Sequence, residues 1–531
     1  MARPEELSVR AFLFPHALDC QGLQRGRSGR AWCHGHVVAR WLESEIGIVV
    51  LEFAVPRSGP APAYRQDGPA MRRMDSLDRQ KRAGAPWASQ NASTRRDAGK
   101  VLRAKVPRSS HGTFKAPRKG RDVVAMLEAS NRNRVPSLVP IRYGRMLHSP
   151  FAFLRGAASV MAHDLAGTPV SGIRVQACGD AHLMNFGGFA TPERHLVFDV
   201  NDFDETLQAP WEWDLKRLAA SITVAGRYLG FSNRRNIEAS MAASACYREH
   251  MALYASMRAL ERWYQRIDAT KVAELHFNSI GKRALDAPLH PVTEHLFPKL
   301  TEVVGETRQI KEEKPLIFRP RKGDRTITNV RRLLSRYRAT LPADRRTLLE
   351  RFRLVDVAIK VVGIGSVGTR CAVALLMAGD DDSLFLQFKE ARASVLEPYA
   401  GRSPYRNHGE RVVEGQRLMQ SASDIFLGWS MDPGLHVEFY VRQLRDCKTA
   451  PNIDTMNYAH LFDYARYCGA ALARAHAKAG DAAAISGYVG KSEALDVALA
   501  RFAAAYADQT ERDFETTKSA AETGRIPLED A

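Results

Sequence analysis

The chain has 531 residues, 45% apolar and 26% charged, proportions that exclude wholesale disorder, a collagen-like repeat and a disulfide scaffold. Its formal charge of +18 lies mostly at the start: residues 1–120 hold 22 Lys and Arg against 10 Asp and Glu, which leaves +6 on the other 411 residues and motivates no basic groove for nucleic acid there. No apolar run reaches the roughly 18 residues of a membrane span, and the first residues lack the charged, apolar and small-residue order of a secretion signal, so a cytoplasmic protein without membrane partners is expected.

Residues 1–95 alternate Arg-, Gly-, Pro- and Ser-rich stretches with one strand-like run, Ile46 to Val55, and are expected to form a flexible basic leader. Its charge supports one reading of a different class, a nucleic-acid-binding protein working through this segment. From residue 96 to 350 the pattern is mostly helical, with a helix expected over Asp122 to Asn131, helical structure over Ile141 to Ala166, and helices joined by charged loops from 268 to 350. Arg142, Arg145 and Arg155 fall within IRYGRMLHSPFAFLRGAA, either as a solvated face or as an anion-binding set. Residues 351–450 change to strand periodicity, and 451–531 return to helices expected to pack back on the first helical part. The seven cysteines are dispersed and contain no C-x-x-C pair, so zinc and disulfide frameworks are not expected.

Two constellations carry chemistry. The first is GDAHLMN, from Gly179 to Asn185, followed by a hairpin whose second strand ends in DVNDFDE. A carboxylate five residues before an amide, with further carboxylates returned beside them, suits phosphoryl transfer: one carboxylate takes the proton of the attacking hydroxyl, while an amide oxygen and another carboxylate hold Mg²⁺. Taken alone, D-x-x-x-x-N also fits a polar turn. Asp180, His182, Asn185, Asp199, Asp202 and Asp204 around one hairpin are harder to read that way.

The second is Gly363-x-Gly365-x-x-Gly368, followed by Lys389 in LFLQFK. A dinucleotide fingerprint needs a helix after the glycines, whereas TRCAVALLM favours a strand. Strand, glycine loop and strand, then a lysine on the next strand, match a loop that covers ATP phosphates. Glu410 and Glu414 on the following helix are candidates to position Lys389 by ion pairing.

The string GDAHLMNFG resembles the catalytic loop of the protein-kinase-like superfamily, including aminoglycoside phosphotransferases and HipA-type kinases. The wider run from RYGRMLHSPFAFLRGAA to WEWDLKRLAAS resembles a bacterial family known as domain of unknown function 2252. The superfamily resemblance implies an α+β, two-lobed kinase-like fold that binds ATP and Mg²⁺ and phosphorylates a hydroxyl on an unidentified small-molecule or protein acceptor. AMP transfer, or nucleotide binding without transfer, is the alternative within that fold. It implies Asp180 as catalytic base and Asn185 as metal ligand, with Asp202 favoured over Asp199 as the metal carboxylate and Asp204 able to share the ion. Asp214 resembles a helix-starting Asp that braces this region. The glycine loop and Lys389 follow the catalytic loop rather than precede it, so the nucleotide-binding lobe (351–450) and the catalytic-loop lobe (96–350) would be circularly permuted.

Overall fold

The computed structural model describes residues 90–115, 121–270, 330–361, 363–379, 382–444 and 451–529, short pieces between 297 and 319, and the backbone of three strands before residue 55. Two compact units divide the chain near residue 83. In the first, β1 (Trp32–Cys33), β2 (Val37–Glu43) and β3 (Val49–Ala54) pair antiparallel in that order. The expected leader therefore contains two strands besides the anticipated one, because β2 offers an apolar-rich VVARWLE that can pair with it.

The second unit opens on α1 (Ala92–Lys105), begun by Asn91, whose side chain accepts from the Thr94 amide; ordered helix thus starts inside the segment expected to be leader. α2 (Val123–Asn131) is capped by Asp122. The helical stretch expected over 141–166 is broken into α3 (Val139–Met146), α4 (Pro150–Gly156) and α5 (Ala158–Ala166). Ser149 and Pro150 cause the first break, since Ser149 caps Ala152 and Pro fits the first helical position.

β4 (Arg174–Ala177) pairs antiparallel with β7 (Leu207–Pro210), and between them β5 (Phe186–Ala190) and β6 (Leu196–Val200) form a hairpin with Gly187 opposite Asp199. α6 (Trp211–Tyr228) follows. The sequence suggests one apolar face for it, yet it is buried almost all round, Glu212, Asp214, Lys216 and Arg217 included, as a helix at the centre of a bundle must be. α7 (Asn233–Ser256), α8 (Ala259–Trp263) and a short β8 (Ile267–Asp268) complete this part.

Instead of helices alone, the described part of 268–350 contains a hairpin of β9 (Thr301–Val304) and β10 (Thr307–Ile310), then β11 (Ile317–Phe318), before α9 (Val330–Arg338) and α10 (Ala343–Leu349). Next come β12 (Arg353–Lys360), β13 (Cys371–Ala378), β14 (Asp382–Ala391), α11 (Glu397–Ala400), α12 (His408–Met419), β15 (Gly428–Asp432) and β16 (Val437–Gln443). The six strands β11-β12-β13-β14-β16-β15 form one antiparallel sheet. Alternation sends Leu376, Leu386, Phe388 and Phe439 toward Leu333 and Tyr337 of α9, while Val373, Leu375 and Phe385 cluster separately with Ile310. α13 (Tyr458–Ala479), α14 (Ala482–Val489) and α15 (Ala494–Glu522) close the chain. They share the largest apolar cluster with α6 and α7, through residues such as Trp211, Leu218, Tyr247, Leu472 and Phe502. The architecture is thus α+β, a helical body and an antiparallel sheet.

Candidate active site

The loop between β4 and the hairpin carries Asp180. Gly179 begins it at φ +85°, and a Cβ there would lie 2.1 Å from the Glu205 carbonyl oxygen, so only glycine fits. Asp214, in the first turn of α6, accepts from the amides of Cys178 (2.7 Å) and Gly179 (3.0 Å) and sits 3.1 Å from His476 Nε2. Its carboxylate satisfies two buried N–H groups and braces the loop, beyond any role as a helix-terminal charge.

Arg217, one turn further along α6, donates from Nε to Asp180 Oδ1 at 2.7 Å and from a terminal nitrogen to the Leu154 carbonyl at 2.7 Å. Burial raises the Asp180 pKa, and Arg217 opposes that rise. His182 lies with Nε2 3.8 Å from Asp180 Oδ2; burial, reinforced by Arg217 and Arg155, holds its pKa well below the usual histidine range. It is therefore neutral at physiological pH. Asn185 ends the following 3-10 turn, and its side-chain nitrogen donates to the Asp180 carbonyl at 2.7 Å, which leaves the amide oxygen as its ligand atom.

Past the hairpin, Asp202 and Asp204 face Lys389 of β14. Lys389 Nζ is 3.7 Å from Asp202 and pairs directly with Asp204, which also accepts from the Tyr440 hydroxyl at 2.8 Å and from Ser366 Oγ at 3.3 Å. Burial works against the Lys389 ammonium, but the two carboxylates outweigh it and raise its pKa. Burial likewise works against ionised Asp204, and Lys389 outweighs it. Glu205 accepts from the Val395 amide at 2.7 Å, yet burial still pushes its pKa up to about 7.

β12 and β13 are joined by the glycine loop, with a single 3-10 turn over Ile364–Ser366. Gly368 has φ +86°, and its carbonyl accepts from the Val135 amide at 2.8 Å. Arg134 donates to the carbonyls of Gly365, at 3.0 Å, and Val367, fastening the loop to the helical body.

These segments converge on one cavity of about 220 Å³, lined by Asp180, Asn185, Asp202 and Asp204 on one side and by Gly363, Gly365, Ser366 and Lys389 on the other. Arg134, Arg142, Arg155, Arg442, His182, Glu205 and Ile364 are among the other lining residues. Arg142 Nε and Arg155 Nε are buried without hydrogen-bond partners, an arrangement that an anion in the cavity would complete. Burial lowers the pKa of Arg142 to about 10, so that group remains cationic near neutrality, and lowers that of Arg155, against the pull of Asp180. Carboxylates and guanidinium groups around one space suit a metal-bound polyphosphate better than either ion alone.

Four expected site residues lie outside the cavity lining. Asp199 is fully buried, accepts from Arg474 at 2.7 and 2.8 Å and from Ser421 N and Oγ at 2.9 and 3.0 Å, and does not line the cavity. β6 pairing aims it at α13, whereas Asp202 and Asp204 lie beyond the strand end. Glu414 pairs with Arg417 at 2.9 Å, and neither it nor Glu410 meets Lys389 or the cavity. α12 turns Arg411 inward instead, where it donates to the carbonyls of Asp204 (2.8 Å), Thr206 (2.6 Å) and Arg392 (2.6 Å). Gly368 lies behind the loop tip, against Arg134. Arg217, Arg134, Arg442 and Glu205 were not anticipated; the acidic end of DVNDFDE pointed toward Glu205, and nothing local marked the arginines.

No curated protein and no solved structure matches the chain. One family model does, over residues 134–520, which spans α3 to α15 and so includes both sides of the cavity: the chain belongs to DUF2252, a family of uncharacterised proteins conserved in bacteria.

Proposed function

We propose that the protein transfers the γ-phosphoryl group of ATP, with Mg²⁺, to a hydroxyl of an acceptor, on a two-lobed kinase-like fold with permuted halves. The observation that carries this reading is the meeting of Asp180, Asn185 and Asp202 with the Gly363–Ser366 turn and Lys389 around one cavity, although about 180 residues separate the two segments. A shared site requires spatial convergence, not chain order.

The residues fit magnesium. Among the described residues no group of three or more His, Cys, Asp and Glu forms a closed cage, and Mg²⁺ typically takes one or two carboxylates and completes its shell with phosphate and water. Asp204 is already engaged by Lys389, Tyr440 and Ser366, so Asp202 and the Asn185 oxygen would hold the ion. When bound it neutralises phosphate charge. Asp180, fixed by Arg217 through one oxygen, accepts the proton of the acceptor hydroxyl with the other. The acceptor oxygen then bonds to the γ-phosphorus, the bridging β–γ oxygen–phosphorus bond breaks, and ADP leaves. Lys389 and the backbone of the glycine turn hold the phosphates, and Arg142 and Arg155 supply charge to the transferring group.

Thermal stabilisation by Mg-ATP, lost with EDTA, tests binding. Transfer of label from γ- but not α-labelled ATP separates phosphoryl from AMP transfer. Asn185→Ala and Asp202→Ala should each slow turnover by on the order of a hundredfold, the usual scale for losing electrostatic support of a transferring group. Unchanged turnover in both would remove the β5–β6 hairpin from the mechanism.

A further inference from the structure

A second cavity, of about 380 Å³, adjoins the first: Arg155 and Ile364 line both. Its lining also includes Arg145, His148 and two aromatic rings, Phe151 and Tyr228. Phe151 and Tyr228 stack with centroids 6.2 Å apart, and the Arg155 guanidinium lies 6.0 Å from the Phe151 centroid. One carboxylate, Asp454, is also present, held by the Tyr228 hydroxyl at 2.9 Å. The tip of the glycine turn, Ile364, thus forms the wall between the two spaces.

We propose that this second cavity seats the acceptor, and that the acceptor is a small molecule carrying an anionic group, phosphate or carboxylate, besides its hydroxyl. The proposal rests on the phosphotransferase reading and adds the acceptor class to it. A volume of about 380 Å³ suits a small ligand rather than a folded partner. The Arg155 and Arg145 guanidinium groups, with a His148 ring nitrogen beside them, face one carboxylate already held by a tyrosine, a lining that favours an anion. Arg155 is the hinge of the argument: it faces both spaces, and its buried Nε has no partner, so an anion placed in the second cavity can be bound by a group that also touches the first. The carbon skeleton then lies on Phe151 and Tyr228, and the hydroxyl passes Ile364 toward Asp180.

The test is equilibrium binding to the full chain with Mg²⁺ and a non-hydrolysable ATP analogue present, so that the first cavity is filled. Glycerol 3-phosphate, glycerate, inorganic phosphate and neutral glycerol serve as probes; the first two separate phosphate from carboxylate preference. Either anionic probe should bind at least about ten-fold tighter than glycerol, and Arg145→Gln should weaken it by about ten-fold, the loss expected for one charge-assisted contact, with the affinity for the ATP analogue unchanged. His148→Gln serves as the second variant should Arg145→Gln fold poorly. Equal binding of glycerol and the anions, or anion binding that neither variant weakens, overturns the proposal. A chain that binds the ATP analogue but no anion refutes the acceptor class alone. A chain that binds the anions in an Arg145-dependent way but not the analogue refutes the phosphotransferase reading and leaves the anion site standing.

Discussion

Lys389→Met removes an ammonium that faces both Asp202 and Asp204 from a site where the lysine side chain is only 4% exposed. Taking one partner from a fully buried pair costs about 3–5 kcal/mol. Here Asp202 is 35% and Asp204 25% exposed, and Asp204 keeps the Tyr440 hydroxyl and Ser366, so water and these donors reduce the expected loss to about 2–3 kcal/mol near neutral pH. The dependence on pH has a definite sign. In the wild type Asp204 is held below its unfolded pKa, so its stabilisation is present above that value, about 3.9, and lost as pH falls through the lower folded value. In the variant burial acts without the ammonium and the Asp204 pKa rises, so the penalty is greatest near neutrality and shrinks toward about pH 5 as the carboxyl takes a proton. Asp204→Asn in the Lys389→Met background should recover at least about half of the loss by removing the stranded charge. Urea denaturation followed by tryptophan fluorescence at both pH values measures all of this. A single variant as stable as wild type near neutrality, or a loss that neither acid nor Asp204→Asn relieves, would refute the reasoning.

Asp180→Asn keeps an acceptor for Arg217 but removes the base, so turnover should fall by on the order of a hundredfold or more while Mg-ATP affinity stays within about a few-fold in a thermal-shift titration. Asp199→Ala strands the Arg474 guanidinium in the core and should lower stability by about 3–5 kcal/mol in denaturant unfolding, without changing the Mg²⁺ concentration needed for nucleotide binding. Burial raises Glu205 from 4.5 to about 7, so the folded state binds the extra proton and stability falls as pH rises through that window; Glu205→Gln should flatten the slope of unfolding midpoint against pH. Glu410→Ala and Glu414→Ala should leave turnover within about two-fold, since neither reaches Lys389.

The parts of the site that could be read in advance are those whose chemistry and position sit together in a short stretch. Asp180 and Asn185 share one loop, and the change to period-two alternation around Gly363 identifies a strand, a tight turn and a strand, with Lys389 on the next one. Asp199 and Asp202 could not be separated so firmly, because their separation depends on where β6 stops, and a strand end is poorly marked in sequence. Arg217 was invisible for another reason. An arginine on a helix ordinarily reads as a solvated face, and only the burial of α6 on all sides turns Arg217 inward. Glu410 and Glu414 failed through rotation: α12 presents Arg411 to the core, a difference of one residue and about 100° around the helix axis from Glu410. The two extra strands before residue 55 went unseen because the Arg- and Gly-rich neighbourhood masked the pairing partner of β3.

Arg411 is effectively a rivet through three pieces of chain: one guanidinium pins the backbone after the acidic hairpin, the end of β14 and α12 together. Prying α12 away would leave three buried carbonyls without their donor, so a swinging motion of this helix is a costly way to turn the site on or off. The glycine turn is fastened as well, through Arg134 at two carbonyls, the Val135 amide at the Gly368 carbonyl and Ser366 at Asp204, so the acidic loop and the turn are clamped face to face.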